Sequence, residues 1–139
     1  MRERRRNQDG FTLIEIMVVI LILGLLATIV VQSLRGAADK AKSTKAQADI
    51  SELKTSLDRY YLDNGFYPTT DQGLQALVAV PSSGRIPQGY PPGGYIERLP
   101  KDPWGNPYVY QSDGSTYVLK SFGRDGVESA DDIDGSQSS

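Results

Sequence analysis

The stretch GFTLIEIMVVILILGLLATIVVQSL, residues 10–34, decides how the chain is organised. From Ile16 to Leu34 nineteen residues pass without a charge, close to the roughly 20 that an α-helix needs to cross a bilayer. Twelve of them, between Ile16 and Val31, are Leu, Ile or Val. At about −0.3 to −0.6 kcal/mol each, they favour insertion by roughly 4 to 7 kcal/mol, against about 3 kcal/mol for one mid-membrane carboxylate. Insertion therefore survives the awkward Glu15 at the mouth of the run. Arg2, Arg4, Arg5 and Arg6 precede it. The positive-inside rule keeps that end cytoplasmic and sends the C-terminal part outward.

Two ordinary readings compete with this one. A cleaved secretory signal has an apolar core of about 7–15 residues ending in a small-x-small site. This core is longer, and RGAAD at 35–39 is a poor site. A plain signal anchor accounts for the arginines and the apolar run. It explains neither Glu15 nor the glycine at the seam between leader and run.

Composition narrows the chemistry. The 139 residues leave room for one domain and an appendage, with 23% charged and 39% hydrophobic residues. Residues 1–10 carry four Arg against Glu3 and Asp9, a net of +2, so the rest of the chain holds −4 of the total −2. That balance exerts no general pull on nucleic acid. There is no Cys and no His, which removes thiol nucleophiles, disulfides, imidazole bases and the usual zinc ligands.

Beyond Leu34, residues 35–65 contain no Pro, and Ile50, Leu53, Leu57, Tyr60 and Tyr61 recur at helical spacing. Asn64-Gly65 is a left-handed stop signal. The expectation is one helix from Phe11 to about Asp63, roughly 80 Å long at 1.5 Å per residue. Its first half is apolar all round, and its second half is amphipathic, with a domain packed on one face. Residues 69–80 predict a short helix, with Thr69 and Gln72 spaced as a capping box and Leu74, Leu77 and Val78 facing inward. Residues 81–95, rich in Pro and Gly, read as an irregular loop. Tyr108-Val109-Tyr110 and Tyr117-Val118-Leu119 flank Asp113-Gly114, which is hairpin chemistry. Trp104 is expected to anchor the core where loop meets sheet. The fold class is therefore α+β: a long N-terminal helix packed with a small antiparallel sheet.

Asp125, Glu128, Asp131, Asp132 and Asp134 crowd the end of the chain. The simplest reading is a solvated acidic tail. The EF-hand spacing is not met, and no second helix can follow. Two considerations favour calcium. A small exported segment without disulfides usually needs a staple. Calcium also accepts six to eight oxygen ligands, backbone carbonyls included, in flexible loops.

Gly10-Phe11-Thr12-Leu13-Ile14-Glu15 resembles the processing site of type IV pilin-like proteins. The resemblance implies that a prepilin peptidase cuts between Gly10 and Phe11 and N-methylates Phe11. The cut creates an α-amino group with a pKa near 7.7–8.0. A carboxylate about 4 Å from it gains roughly 4 kcal/mol at an effective dielectric of 20. Each charge is costly alone in an apolar setting, so pairing offsets both. If the ammonium belongs to a neighbouring subunit, Glu15 also sets axial register, which makes it an assembly residue. Related helices often carry a Pro near the end of the run. This chain has Gln32, and the kink or melting tied to that Pro is not carried over.

FYPTTDQGLQALV at 66–78, GGYIERLPKDPWGNPYVY at 93–110 and SFGRDG at 121–126 resemble the G-type major pseudopilins of type II secretion systems. With the leader and the helix, the resemblance covers nearly the whole chain, least well at 80–92. It implies a prepilin leader at 1–10, a transmembrane and filament-core half-helix at 11–34, an amphipathic half at 35–64 and a periplasmic part at 65–139. It implies a non-enzymatic structural subunit of the bacterial inner membrane, single-pass, polymerising with itself into a periplasmic fibre that helps folded proteins through an outer-membrane secretin. Its partners would be minor pseudopilins, the prepilin peptidase and an inner-membrane assembly platform, with no nucleic acid. The family binds calcium in the C-terminal loop. Asp125 and Asp132 match its carboxylate ligands and the Phe122 carbonyl a backbone ligand. Val127 and Ser129 are further candidates, while Asp131 and Asp134 add only field.

The competing identities are a true type IV pilin or minor pseudopilin, a membrane-anchored periplasmic enzyme and a calcium-binding adhesion module. Many type IV pilins close their C-terminal region with a disulfide, which this chain lacks the Cys to form. An enzyme would have to use carboxylates such as Asp71 and Asp102, which form no recognisable acid–base pair.

Overall fold

The computed structural model describes residues 10–137. The chain divides into two compact units, one ending at Asp39 and one beginning at Lys40. A single helix, α1 (Leu13–Asn64), contributes to both. In the first unit every Leu, Ile, Val and Met of the helix from Leu13 to Leu34 is exposed. Gln32 is helical like its neighbours.

In the second unit α1 buries Ala46, Ile50, Leu53, Leu57 and Tyr60 at a spacing of three or four. That is the stripe a helix presents to a core. Tyr61 departs from the expected stripe. Adjacent helical residues point about 100° apart, so Tyr60 takes the inward position and Tyr61 is 40% exposed, stacked on Tyr67 with centroids 4.6 Å apart. The helix ends where Gly65 adopts φ +76° and returns its N–H to the Tyr61 carbonyl at 2.7 Å. A residue with a β-carbon is strained in that conformation.

The next segment is tighter than expected. Only Leu74–Leu77 is helical, as one 3₁₀ turn (η1) entered through Gly73 with no side-chain cap. Gln72 accomplishes half of the capping box, its Oε1 accepting the Thr69 N–H at 3.1 Å. Its Nε2 reaches the other way and donates to the carbonyls of Ser83 and Arg85 at 2.8 and 3.0 Å. The interruption lies at Gly73, whose φ of 60° and ψ of −172° are outside the helical region, so the residues before it cannot join the turn. Leu74 and Leu77 are buried as expected, Val78 only half so, and Ala76 joins them. The loop is irregular but pinned, with the Gly89 N–H donating to Asn64 Oδ1 and the Arg85 guanidinium over the Phe66 ring.

The hairpin forms as the sequence indicates. Strands β1 (Val109–Ser112) and β2 (Tyr117–Ser121) pair antiparallel, with Tyr110 opposite Leu119. Asp113 closes the turn by accepting the N–H groups of Ser115 and Thr116. A third strand, β3 (Ile133–Asp134), pairs antiparallel with β2, giving the order β1-β2-β3. The acidic segment is thus a loop returning to the sheet rather than a solvated tail. Gly135 permits that return: a β-carbon there would overlap the Cγ2 methyl of Ile50 on α1.

Trp104 is not the expected anchor. It is only half-buried and outside the core cluster, which is Ile50, Leu53, Leu57, Tyr60, Phe66, Tyr67, Leu74, Ala76, Leu77, Tyr108, Tyr117 and Leu119. The organiser of that corner is Asp102, 4% exposed.

Candidate functional site

Two places on the chain are candidates for functional chemistry. The first is the seam at Gly10-Phe11. Gly10, Phe11 and Thr12 precede the helix, Phe11 is 80% exposed, and no side chain or backbone crowds Gly10 within 4 Å. The seam is therefore exposed backbone outside the helix. Thr12 caps α1: its Oγ1 accepts the Glu15 N–H at 3.3 Å and its carbonyl accepts the same N–H at 3.1 Å. Thr12-x-x-Glu15 has capping-box spacing, a signal that reading Glu15 only as an assembly charge passes over. Glu15 lies in the first helical turn, where a negative charge meets the positive end of the helix dipole. Its carboxylate has no hydrogen bond or ion pair with any described residue. The arginine leader lies outside the described residues.

The second place is the loop between β2 and β3. Asp125 Oδ2 accepts the Ser129 hydroxyl at 2.9 Å, and Asp132 Oδ1 accepts the Ser129 N–H at 3.1 Å. Asp131 Oδ1 also contacts the Ser129 hydroxyl. Three carboxylates therefore share the hydroxyl and the N–H of one serine. Asp125 also accepts the Val127 N–H at 3.1 Å. The Ser129 hydroxyl and the Arg124 N–H hold the Asp131 carboxyl below the usual carboxylate range. The Ser136 hydroxyl and N–H do the same for Asp134. Lys120 on β2 pairs with Glu128 across the loop, and that hydrogen bond pushes its ammonium pKa up. Among the described residues no three acidic groups already form a metal cage. The oxygens of Asp125, Asp131 and Asp132 surround Ser129 instead.

The family model for type II secretion system protein G matches residues 33–137. The chain belongs to that family. A second model, the prokaryotic N-terminal methylation motif, matches residues 5–31 and so spans Gly10, Phe11 and Glu15. The type II secretion system core protein G of Vibrio cholerae is 53% identical over 128 residues, covering 91% of this chain and 87% of the relative. That of Aeromonas hydrophila is 52% identical over 131 residues, covering 93% and 92%. The major pseudopilin from the type 2 secretion system of enterohaemorrhagic Escherichia coli matches in structure at TM-score 0.65 and 46% identity. That match covers 73% of this chain and 92% of the solved one.

As a protein G family member, the chain combines the methylation motif with one helix, among the described residues, long and apolar enough to cross a membrane. The carboxylates weighed for catalysis are not brought together. Asp71 is exposed, whereas Asp102 is buried and engaged by backbone. Its Oδ1 accepts the N–H groups of Trp104 and Asn106 at 3.1 and 2.6 Å, and its Oδ2 accepts the Ser121 hydroxyl at 3.0 Å. The signal for this in the sequence is DPWGN, an aspartate followed by turn residues, which is the pattern of a side chain capping its own turn.

Proposed function

We propose that this protein G family member is a non-enzymatic structural subunit. It is cut between Gly10 and Phe11, methylated at Phe11 and polymerised into a periplasmic pseudopilus that helps export folded proteins. Before assembly it sits in the inner membrane, N-terminus cytoplasmic. It meets a prepilin peptidase, an assembly platform, minor pseudopilins and copies of itself. The observation that carries this reading is the apolar half of α1, exposed all round, behind an accessible Gly10-Phe11 seam. Such a surface is stable only in lipid or among other helices. The Glu15 carboxylate, unpartnered among the described residues, then receives the new α-amino group of a neighbouring copy. Glu15→Ala should leave membrane insertion and cleavage intact and abolish fibres in cells that overproduce the chain; normal fibres from the variant would refute the assembly role.

The reading includes calcium in the β2–β3 loop. The donor chemistry fits a hard cation: Asp125 and Asp132 already meet at Ser129, and three negative groups share its hydroxyl and N–H. Asp125 and Asp132 would supply carboxylate oxygens and Phe122 its carbonyl, with Val127 and Ser129 as further oxygen donors. The ion would supply charge compensation and a cross-link across the loop. Side-chain rotations that turn the carboxylates off Ser129 are part of this reading.

A further inference from the structure

The loop begins on a peptide unit held from beneath by a buried pair. The Gly123 N–H donates to Ser121 Oγ at 3.2 Å, and the Ser121 hydroxyl donates to Asp102 Oδ2 at 3.0 Å. Ser121 is 0% exposed and Asp102 is 4% exposed. The direction of this relay is fixed by proton count. A carboxylate can only accept, so the single Ser121 proton goes to Asp102 and a Ser121 lone pair remains for Gly123. The other oxygen of Asp102 is held by the N–H groups of Trp104 and Asn106, so the carboxylate cannot turn.

The Gly123 N–H belongs to the same peptide unit as the Phe122 carbonyl. That unit is planar, and no cis peptide bond is present among the described residues. In a trans peptide the C=O points opposite to the N–H. Tethering Gly123 N–H to Ser121 therefore aims the Phe122 oxygen away from Asp102. A negative acceptor at the end of the relay polarises each bond in turn and places extra electron density on that oxygen. An oriented, electron-rich carbonyl is the ligand a hard cation prefers. Gly123 itself, at φ +65°, lies close against Asp131: a β-carbon there would stand 2.8 Å from the Asp131 carbonyl oxygen.

We propose that Asp102 and Ser121 are positioning residues for the cation of the β2–β3 loop, orienting and polarising the Phe122 carbonyl as its ligand. The proposal rests on the calcium reading above. Outer-shell partners of this kind typically change metal affinity by about 10- to 100-fold.

The test is calorimetric titration of calcium into the full chain in detergent micelles, after chelation, with melting of the calcium-free protein recorded beside it. Ser121→Ala should weaken binding about tenfold or more, while Asp102→Asn, which keeps the shape and removes the charge, should weaken it less. Leu57→Ala, a core deletion on α1 outside the loop and its relay, controls for general destabilisation and should leave the affinity unchanged. If Ser121→Ala also lowers calcium-free melting, Asp102→Asn decides: weaker binding supports the proposal and wild-type binding overturns it. Wild-type affinity in both variants overturns the positioning role and leaves calcium binding standing. A wild-type chain that takes up no calcium overturns both.

Discussion

The hydroxyl of Tyr108 joins the second unit's part of α1 to the entry of β1, and removing it gives a sharp energetic test. Tyr108 is 7% exposed and donates to Asp49 Oδ2 at 2.9 Å. Asp49 also accepts from Lys45, at 2.6 Å. Burial above all, with the Asp49 bond second, pushes the Tyr108 phenol pKa well up, so the phenol keeps its proton and donates at pH 7. A hydrogen bond to a charged group contributes about 1.5–3 kcal/mol. Because Lys45 is 57% exposed, its ion pair contributes only about 0.3–0.5 kcal/mol. Tyr108→Phe should therefore cost about 2 kcal/mol. Asp49→Ala should cost at least as much, since it strands a buried hydroxyl. For a unit of about 100 residues, a loss of about 2 kcal/mol lowers the melting temperature by roughly 8–16 °C. Urea unfolding followed by Trp104 fluorescence on both single variants and the double variant isolates the pair. Additive effects, with coupling under about 0.5 kcal/mol, would refute the assignment.

Other consequences are equally specific. Gly135→Ala should destabilise the second unit by about 1–3 kcal/mol in chemical unfolding, because the new methyl enters space held by Ile50; an unchanged unfolding midpoint would contradict that packing. Calcium should raise the thermal midpoint of the wild-type chain and a chelator should reverse the rise, whereas identical midpoints would remove the ion from the account. Burial pushes the phenols of Tyr60 and Tyr95 up to about 12. Their folded pKa values exceed the unfolded value of about 10. Their contribution to stability is therefore complete below pH ~10 and is lost as pH rises toward ~12. Alkaline titration should show phenolate absorbance rising together with loss of circular dichroism. Full ionisation near pH 10 in a chain that remains folded would contradict this.

Local patterns were the legible part of the fold. The apolar run, the helical stripe, Asn64-Gly65 and Asp113-Gly114 each specify structure within a few residues, and each reappears in the structure. Most of what failed depended on distant partners. Tyr60 and Tyr61 look equally apolar, and only distant partners such as Tyr95, which meets the Tyr60 ring, distinguish the inward one. The short helix is cut to one turn because Gly73 takes a non-helical backbone, φ 60° and ψ −172°, which a glycine leaves open and its neighbours' pattern does not reveal. β3 was invisible because its two residues, Ile133 and Asp134, sit in an acidic stretch with no strand pattern. Their pairing with β2 depends on the clearance at Gly135.

At the candidate sites the same division holds. The Gly10-Phe11 seam and Glu15 are contiguous in sequence, within the span of the methylation-motif match, whereas the cap at Thr12 shows only in the structure. The acidic loop was read as a set of ligands, yet its side chains also bond one another and the loop backbone. In the sequence Asp102 stands beside Asp71 only as a carboxylate that an enzyme would have to use. Its position beneath the loop depends on Ser121, 19 residues away on β2.

Mass spectrometry of the chain isolated from cells carrying the secretion apparatus tests the central claim most directly. The account predicts a protein lacking residues 1–10 and beginning with N-methylated Phe11. A chain still beginning at Met1, or cut elsewhere with Phe11 unmethylated, would contradict it.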